Sequence, residues 1–333
     1  MTAAGPPQGG RPLGGAARSA VRGEPTSAAL QDHAAYRGRF APSPTGPLHF
    51  GSLVAALASY SDALAAGGAW LVRIEDVDEP RSRAGAEEAI LRTLADYGFR
   101  WDGPVVRQSA RTAAYDAALA RLRAGGFVYP CTCSRRALET APLGPAGERI
   151  YPGTCRAATA PAQGSSPRVA QRVRVGDADV EFVDLLQGRQ RQQLARDVGD
   201  FIVKRADGLY AYQLAVVVDD ADARITTIVR GADLLVSTPR QIFLQRLLHA
   251  PTPAYLHVPI AINAAGEKLS KQTRAPALPS APLPALLRAW RFLDQPAPAS
   301  VPRTVADFWA HAARAWSRAR LPPVPMLPAP GGG

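Results

Sequence analysis

Nowhere in this 333-residue chain do apolar side chains run unbroken for the roughly twenty positions that a membrane-spanning helix needs. The Gly-, Pro- and Ala-rich start also lacks the apolar stretch of a secretory signal. Both absences set membrane and secreted proteins aside and make the cytoplasm the expected location. Cysteine is scarce too. The three present, Cys131, Cys133 and Cys155, fall in one short window. An odd number at such close quarters argues against a disulfide framework and for a metal site. Acidic charge is in deficit, because 28 Asp and Glu face 39 Lys and Arg, and the formal net charge of +11 would steer a polyanion toward the protein. Part of that excess, Arg11, Arg18 and Arg22, lies in a segment with too little apolar periodicity to fold.

A chain of this length buries one substantial core with room for a small accessory module. Residues 1–36 read as a disordered N-terminal arm. Residues 38–41 read as a short strand entering a Pro/Gly loop, and residues 53–64 show helical apolar spacing that Gly67 and Gly68 end. A second strand follows at 70–74, then amphipathic helices at 86–97 and 113–124. Strand, loop, helix and strand in that order predict a parallel α/β sheet of the Rossmann-like kind. Residues 127–156 are irregular and hold every cysteine, so they are expected to form a small insertion with a flexible exit at 157–167. Further strands are expected at 172–175, 201–204 and 225–229, and a helix at 239–249. The body is therefore placed at 37–280. Residues 281–333 are Pro-rich, with short helical patches at 284–292 and 305–319, and no segment repeats another.

The most informative stretch is RFAPSPTGPLHFGS at residues 39–52. A strand, a Pro/Gly loop and a helix start in succession aim backbone N–H groups and the positive end of a helix dipole at an anion, and Gly46 and Gly51 permit close approach. His49 at the loop exit can donate to a nucleotide phosphate. Far downstream, KLSKQ at residues 268–272 sets Lys268 and Lys271 around a serine, a pair of ammonium groups suited to the charge that builds on a transferring phosphoryl group. Either segment alone is ordinary. Together, in this order and about two hundred residues apart, they resemble the two signatures of class I aminoacyl-tRNA synthetases, with His49, Phe50, Gly51 and Ser52 standing at the positions of the first and Ser52 replacing its second histidine.

RFAPSPTGPLH is similar to the glutamyl and glutaminyl branch of that class. RIEDVDEPR at 73–81, YAYQLAVVVDD at 210–220 and VRGADLL at 229–235 narrow the resemblance to the glutamyl-queuosine tRNA(Asp) synthetase family, over residues 37–274. Arg39 and Arg230 suit the two carboxylates of a dicarboxylic amino acid, Glu75 its ammonium, and Tyr212 can close the pocket. The resemblance implies a Rossmann-like class I catalytic domain without a folded anticodon-binding domain. It implies His49, Lys268 and Lys271 as catalytic residues, with His49, Gly51 and Lys271 on ATP. Arg39, Phe40, Ala41, Pro42, Ser43, Glu75, Tyr212 and Arg230 would hold L-glutamate.

The implied reaction forms glutamyl-adenylate from ATP, with Mg2+, and moves the glutamyl group to queuosine at the wobble position of tRNA(Asp). A monomer is expected. Two other readings share most of these motifs: a truncated glutamyl-tRNA synthetase charging the tRNA 3′ end, and an inactive RNA-binding zinc protein derived from a synthetase. For the metal, three thiolates fall one short of the tetrahedral four, and water, Glu148 or Tyr151 can complete the set. The family pattern of Cys-x-Cys with Tyr-x3-Cys implies Cys131, Cys133, Tyr151 and Cys155 around one structural Zn2+ per chain.

Overall fold

The computed structural model describes residues 1, 36–78, 82–145, 147–157, 169–269 and 275–330. The chain divides into units of residues 1–34 and 35–333. Apart from Met1 and Tyr36, the expected arm lies outside the described residues, and the fold is that of the second unit. It begins with strand β1 (Arg37–Phe40), helix α1 (Phe50–Ala65), β2 (Ala69–Ile74), α2 (Ala86–Asp96), β3 (Val106–Arg107) and α3 (Thr112–Ala124). A middle section holds β4 (Val128–Cys131), β5 (Ala170–Val173), β6 (Asp179–Asp184), β7 (Gly188–Gln193), α4 (Leu194–Asp197), β8 (Ile202–Lys204) and α5 (Tyr212–Asp222). The remainder is β9 (Thr227–Gly231), α6 (Thr238–Leu247), β10 (Ala254–Val258), β11 (Ile260–Ile262), α7 (Pro282–Phe292), α8 (Val305–Ala315) and β12 (Met326–Pro328).

Strands β1, β2 and β3 form a parallel sheet, and β9 and β10 a parallel pair. Parallel neighbours need a long crossover, which α1 supplies between β1 and β2 and α2 between β2 and β3. The two sheets meet where the Thr226 amide donates to the Arg37 carbonyl at 3.0 Å. Helix α1 is rich in Ala and Leu, good helix formers with little side-chain entropy to lose. It is buried on nearly every face from Phe50 to Ala63 and forms the centre of the body.

Trp70 on β2 is sandwiched by Phe40, Tyr60 and Phe99, with ring centroids 6.2, 4.9 and 5.6 Å away. Helices α7 and α8 complete this same core: Phe292 meets Phe50 edge-on at 5.7 Å, and Trp309 packs on Tyr60 at 4.8 Å. Gly98 lets α8 approach the end of α2. Its φ of +77° suits a residue without a side chain, and a Cβ there would stand 2.5 Å from Val305. A second core gathers Leu119 and Leu122 of α3, Leu214 to Val218 of α5, Ile242 of α6 and Tyr255 of β10.

Strands β4, β5 and β8 form an antiparallel sheet, and the chain between β4 and β5 carries the cysteines. Strands β6 and β7 make a hairpin whose turn donates from the Leu185 amide to the Tyr255 carbonyl at 2.8 Å, which fixes the hairpin on β10. Among the described residues no helix is long and apolar enough to cross a membrane.

Candidate active site

A cavity of about 570 Å3 opens at the C-terminal ends of β1, β9 and β10. Such ends are where open parallel sheets take their ligands, because the loops diverge there and helix N-termini point inward. Its lining includes Arg39, Phe40, Ala41, Pro42, Ser43, His49, Gly51, Glu75, Tyr212, Arg230 and Lys268. Lys271 lies outside the described residues.

His49 is the N-cap of α1. Its Nδ1 accepts from the Ser52 amide at 3.3 Å, and the Ser52 hydroxyl accepts from the His49 amide at 2.9 Å. This reciprocal capping box satisfies two donors of the helix start. It accounts for serine at the fourth signature position, and it places the proton of a neutral His49 ring on Nε2. Gly51 is where the two signatures touch, since a Cβ at 51 would stand 3.2 Å from both the His49 ring and the Leu269 carbonyl. The Leu269 amide in turn donates to Ala261 at 2.8 Å, and Lys268 forms an ion pair with Asp233.

Opposite this mouth, buried charges are packed in alternation. Arg39 donates through Nε and Nη2 to Asp220 at 3.2 and 3.3 Å. Arg73 donates through Nη1 to Asp220 at 2.6 Å and through Nη2 to Glu75 at 3.0 Å. Burial raises the Asp220 carboxyl, yet Arg39 and Arg73 overcome that and hold it below the usual carboxylate range. For Glu75 burial wins over Arg73, and its carboxyl sits above the usual range. Arg230 donates through Nε to His257 at 3.0 Å and through Nη2 to Thr238 and Gln241, both at 2.8 Å. Its Nη1 is 3.5 Å from the Tyr212 hydroxyl. In both Arg39 and Arg230 the protein takes up Nε and Nη2, and Arg230 Nη1 makes the longer donation to the Tyr212 hydroxyl.

The catalytic-domain model of class I tRNA synthetases (E and Q) matches residues 35–278. The glutamyl-Q tRNA(Asp) synthetase of Burkholderia mallei is 59% identical over 289 residues, covering 84% of this chain and 96% of its own length. That of Thiobacillus denitrificans is 56% identical over 301 residues, covering 89% and 99%. The chain belongs to the glutamyl-Q tRNA(Asp) synthetase family of class I tRNA synthetases. The solved glutamate-tRNA synthetase of Elizabethkingia anophelis shares the fold at a TM-score of 0.73 and 22% identity, over 87% of this chain and 67% of that one.

Within this family member, the surroundings of the cavity arginines were not anticipated from sequence. Thr238, Gln241, His257 and Asp184 carry no motif of their own, and Asp220 closes the YAYQLAVVVDD stretch without a role that its pattern reveals. The available signals were a lone histidine in the apolar strand Ala254–Val258 and two adjacent acids closing a buried apolar run. The acidic turn is also divided: Glu75 serves the cavity, Asp76 accepts from the Ser109 amide and hydroxyl at 2.8 and 2.6 Å, and Asp78 pairs with Arg205 at 3.0 Å.

The cysteine insertion forms a compact donor set. The Sγ atoms of Cys131, Cys133 and Cys155 all lie within 4.8 Å of one another. The Tyr151 hydroxyl is 3.5 Å from Cys131 and 3.6 Å from Cys133. Tetrahedral zinc with thiolate bonds near 2.3 Å sets its ligands about 3.8 Å apart, so three thiols and this phenol fit the ion. Burial, with the neighbouring thiols adding to it, pushes the Tyr151 phenol up, and a dication would reverse that preference. Glu148 is otherwise engaged, with both carboxylate oxygens on Arg240 at 2.5 and 3.0 Å, so the geometry favours Tyr151 over it as a fourth ligand. Asp200 anchors the insertion by accepting from Tyr129 at 2.5 Å and Arg156 at 2.6 Å.

Proposed function

We propose that this chain is an ATP-dependent ligase that activates L-glutamate and passes the glutamyl group to queuosine at the wobble position of tRNA(Asp). The observation that carries the reading is one cavity holding Arg230 and Tyr212 on one side, Glu75 on another and the His49–Gly51 cradle at its mouth. The relatives' names supply the acceptor. Arg230 Nη1 and Tyr212 receive the side-chain carboxylate, Arg39 contributes charge to the α-carboxylate, and Glu75 takes the ammonium. An α-carboxylate oxygen attacks the α-phosphorus of ATP, the bond from that phosphorus to the bridging oxygen breaks, and pyrophosphate leaves. His49 Nε2–H and the amides of the α1 N-terminus face the phosphates, and Lys268 and Lys271 offset the charge that builds on them. Mg2+ arrives with ATP and supplies further neutralisation. A queuosine hydroxyl then attacks the glutamyl carbonyl and AMP departs.

The same reading takes residues 37–280 as the catalytic body, acting as a monomer in the cytoplasm. Cys131, Cys133, Tyr151 and Cys155 would hold one structural Zn2+, closing the insertion at 127–156. Protein purified without chelators should contain about one zinc per chain by elemental analysis, and Cys133→Ser should lose most of it. Zinc content unchanged by that substitution would assign the ion elsewhere.

Glu75 makes the amino-acid step sensitive to acid. Because its carboxyl is held above the usual range, it gains a proton at a higher pH than an exposed glutamate, and once neutral it no longer attracts the substrate ammonium. The glutamate KM in pyrophosphate exchange should therefore rise toward acid pH, and begin to do so at a higher pH than an exposed glutamate would set, while the ATP KM stays level. Glu75→Gln should show a high glutamate KM that is flat with pH. A wild-type profile without that rise would remove Glu75 from the ammonium site.

A further inference from the structure

His257 does not line the cavity, yet it is fully buried directly behind Arg230. Its two ring nitrogens have different partners. Nε2 faces the Arg230 Nε–H at 3.0 Å and the Thr238 hydroxyl at 3.2 Å, and Nδ1 faces Asp184 Oδ2 at 2.6 Å. Arginine only donates, so Nε2 must be the accepting nitrogen and the ring proton must sit on Nδ1, where it donates to the carboxylate. Burial pulls the pKa of His257 down to about 4, and Arg230 adds to this against the opposing pull of Asp184. Tyr255 stacks on the ring at 6.0 Å and confines its plane. Asp184 is fixed as firmly, since its Oδ1 accepts from the Leu186, Gln187 and His257 amides at 3.0, 2.8 and 3.2 Å.

We propose that Asp184 and His257 form a tautomer lock that positions Arg230 for glutamate. Asp184 holds the ring proton on Nδ1, His257 turns its lone pair to Arg230 Nε, and Thr238 with Gln241 occupy Nη2. One rotational setting of the guanidinium satisfies all three, and it leaves Nη1 beside Tyr212 as the donor for the substrate carboxylate. The inference rests on the glutamate reading of the cavity and deepens it: His257 is a positioning residue that acts through Arg230 without touching substrate. A planar fork held at two nitrogens presents the third at a set angle, which favours a carboxylate over the uncharged amide of glutamine.

Asp184→Asn tests the lock with little change of shape. Its carbonyl oxygen can keep the three backbone amides, while its amide group donates to His257 Nδ1 and drives the ring proton to Nε2. Two donors then confront each other at Arg230 Nε. The glutamate KM in pyrophosphate exchange should rise at least about tenfold, and discrimination against glutamine should narrow, with the ATP KM and kcat within about threefold of wild type. His257→Gln in the otherwise wild-type chain can place an accepting oxygen near the position of Nε2 and an N–H toward Asp184, and it should keep the glutamate KM within about threefold of wild type. A merely structural role would lower the melting temperature without separating the two substrates.

Nitrogen-15 NMR of the labelled wild-type protein reads the tautomer without any substitution. It should report His257 as neutral with its proton on Nδ1 near neutral pH. A proton on Nε2, a charged ring, or a folded Asp184→Asn enzyme with the wild-type glutamate KM would overturn the lock. Absence of glutamate-dependent exchange in the wild type would instead overturn the functional reading.

Discussion

Lys271→Ala is expected to lower glutamate-dependent pyrophosphate exchange at least about a hundredfold while the melting temperature moves by no more than about 2 °C. A single well-placed donor to developing charge is worth about that much, roughly 2.7 kcal/mol of barrier. Residue 271 lies outside the described residues, but the chain on either side of it is anchored to the cavity wall. On the upstream side Lys268 bridges to Ile262 and the Leu269 carbonyl lies against Gly51. Downstream, Ala277 bridges to His49, and the Leu278 amide donates to the Leu48 carbonyl at 2.9 Å. The chain before residue 270 and the chain after residue 274 thus both meet the first signature. The substitution removes a charged side chain rather than an apolar one, so stability should not follow activity down. Near-wild-type exchange by the folded variant would take Lys271 out of the chemistry.

Those backbone contacts also explain which features could be read from sequence. That His49, Gly51 and Lys268 would share one cavity was legible because the two motifs pair particular residue types in a particular order. Strands β1 and β2 and helices α1, α2 and α3 were legible because their apolar spacing follows one period from end to end. Helix α5 was not, because Val216, Val217 and Val218 are β-branched and as consistent with a strand, and burial of that stretch erases any amphipathic period. The β6–β7 hairpin was also missed, although Val180 and Phe182 alternate with polar residues and Gly188 marks a turn.

That hairpin matters most for the site. Asp184 reaches His257 across 73 residues of sequence, and Asp220 reaches Arg39 across 181. Local pattern carries no trace of such pairings, which the fold alone brings together. Likewise the Pro-rich composition beyond residue 280 concealed Trp290, Phe308 and Trp309, three aromatic residues that complete the core around α1.

The acceptor gives the sharpest expected contrast. Queuosine-containing tRNA(Asp) should take up labelled glutamate, and the same tRNA lacking queuosine should take up none, because the hydroxyl that attacks the glutamyl carbonyl is then missing. Ordinary aminoacylation uses one hydroxyl of the cis-diol on the terminal ribose. The cyclopentene ring of queuosine offers a similar pair of hydroxyls, so an adenylate held in this cavity can be attacked by either group if it is brought there. An anticodon loop is suited to delivery because its bases can be splayed out and stacked on protein side chains, whereas paired RNA hides them in a deep groove. The net charge of +11 supplies attraction to the flanking phosphates, and transfer at low tRNA concentration should fall steeply with added salt. Removing the terminal adenosine from queuosine-containing tRNA(Asp) should leave the reaction intact, which locates the label away from the 3′ end. Efficient esterification of the terminal adenosine of tRNA(Glu) would replace this acceptor with the ordinary one, while leaving the adenylate chemistry of the cavity standing.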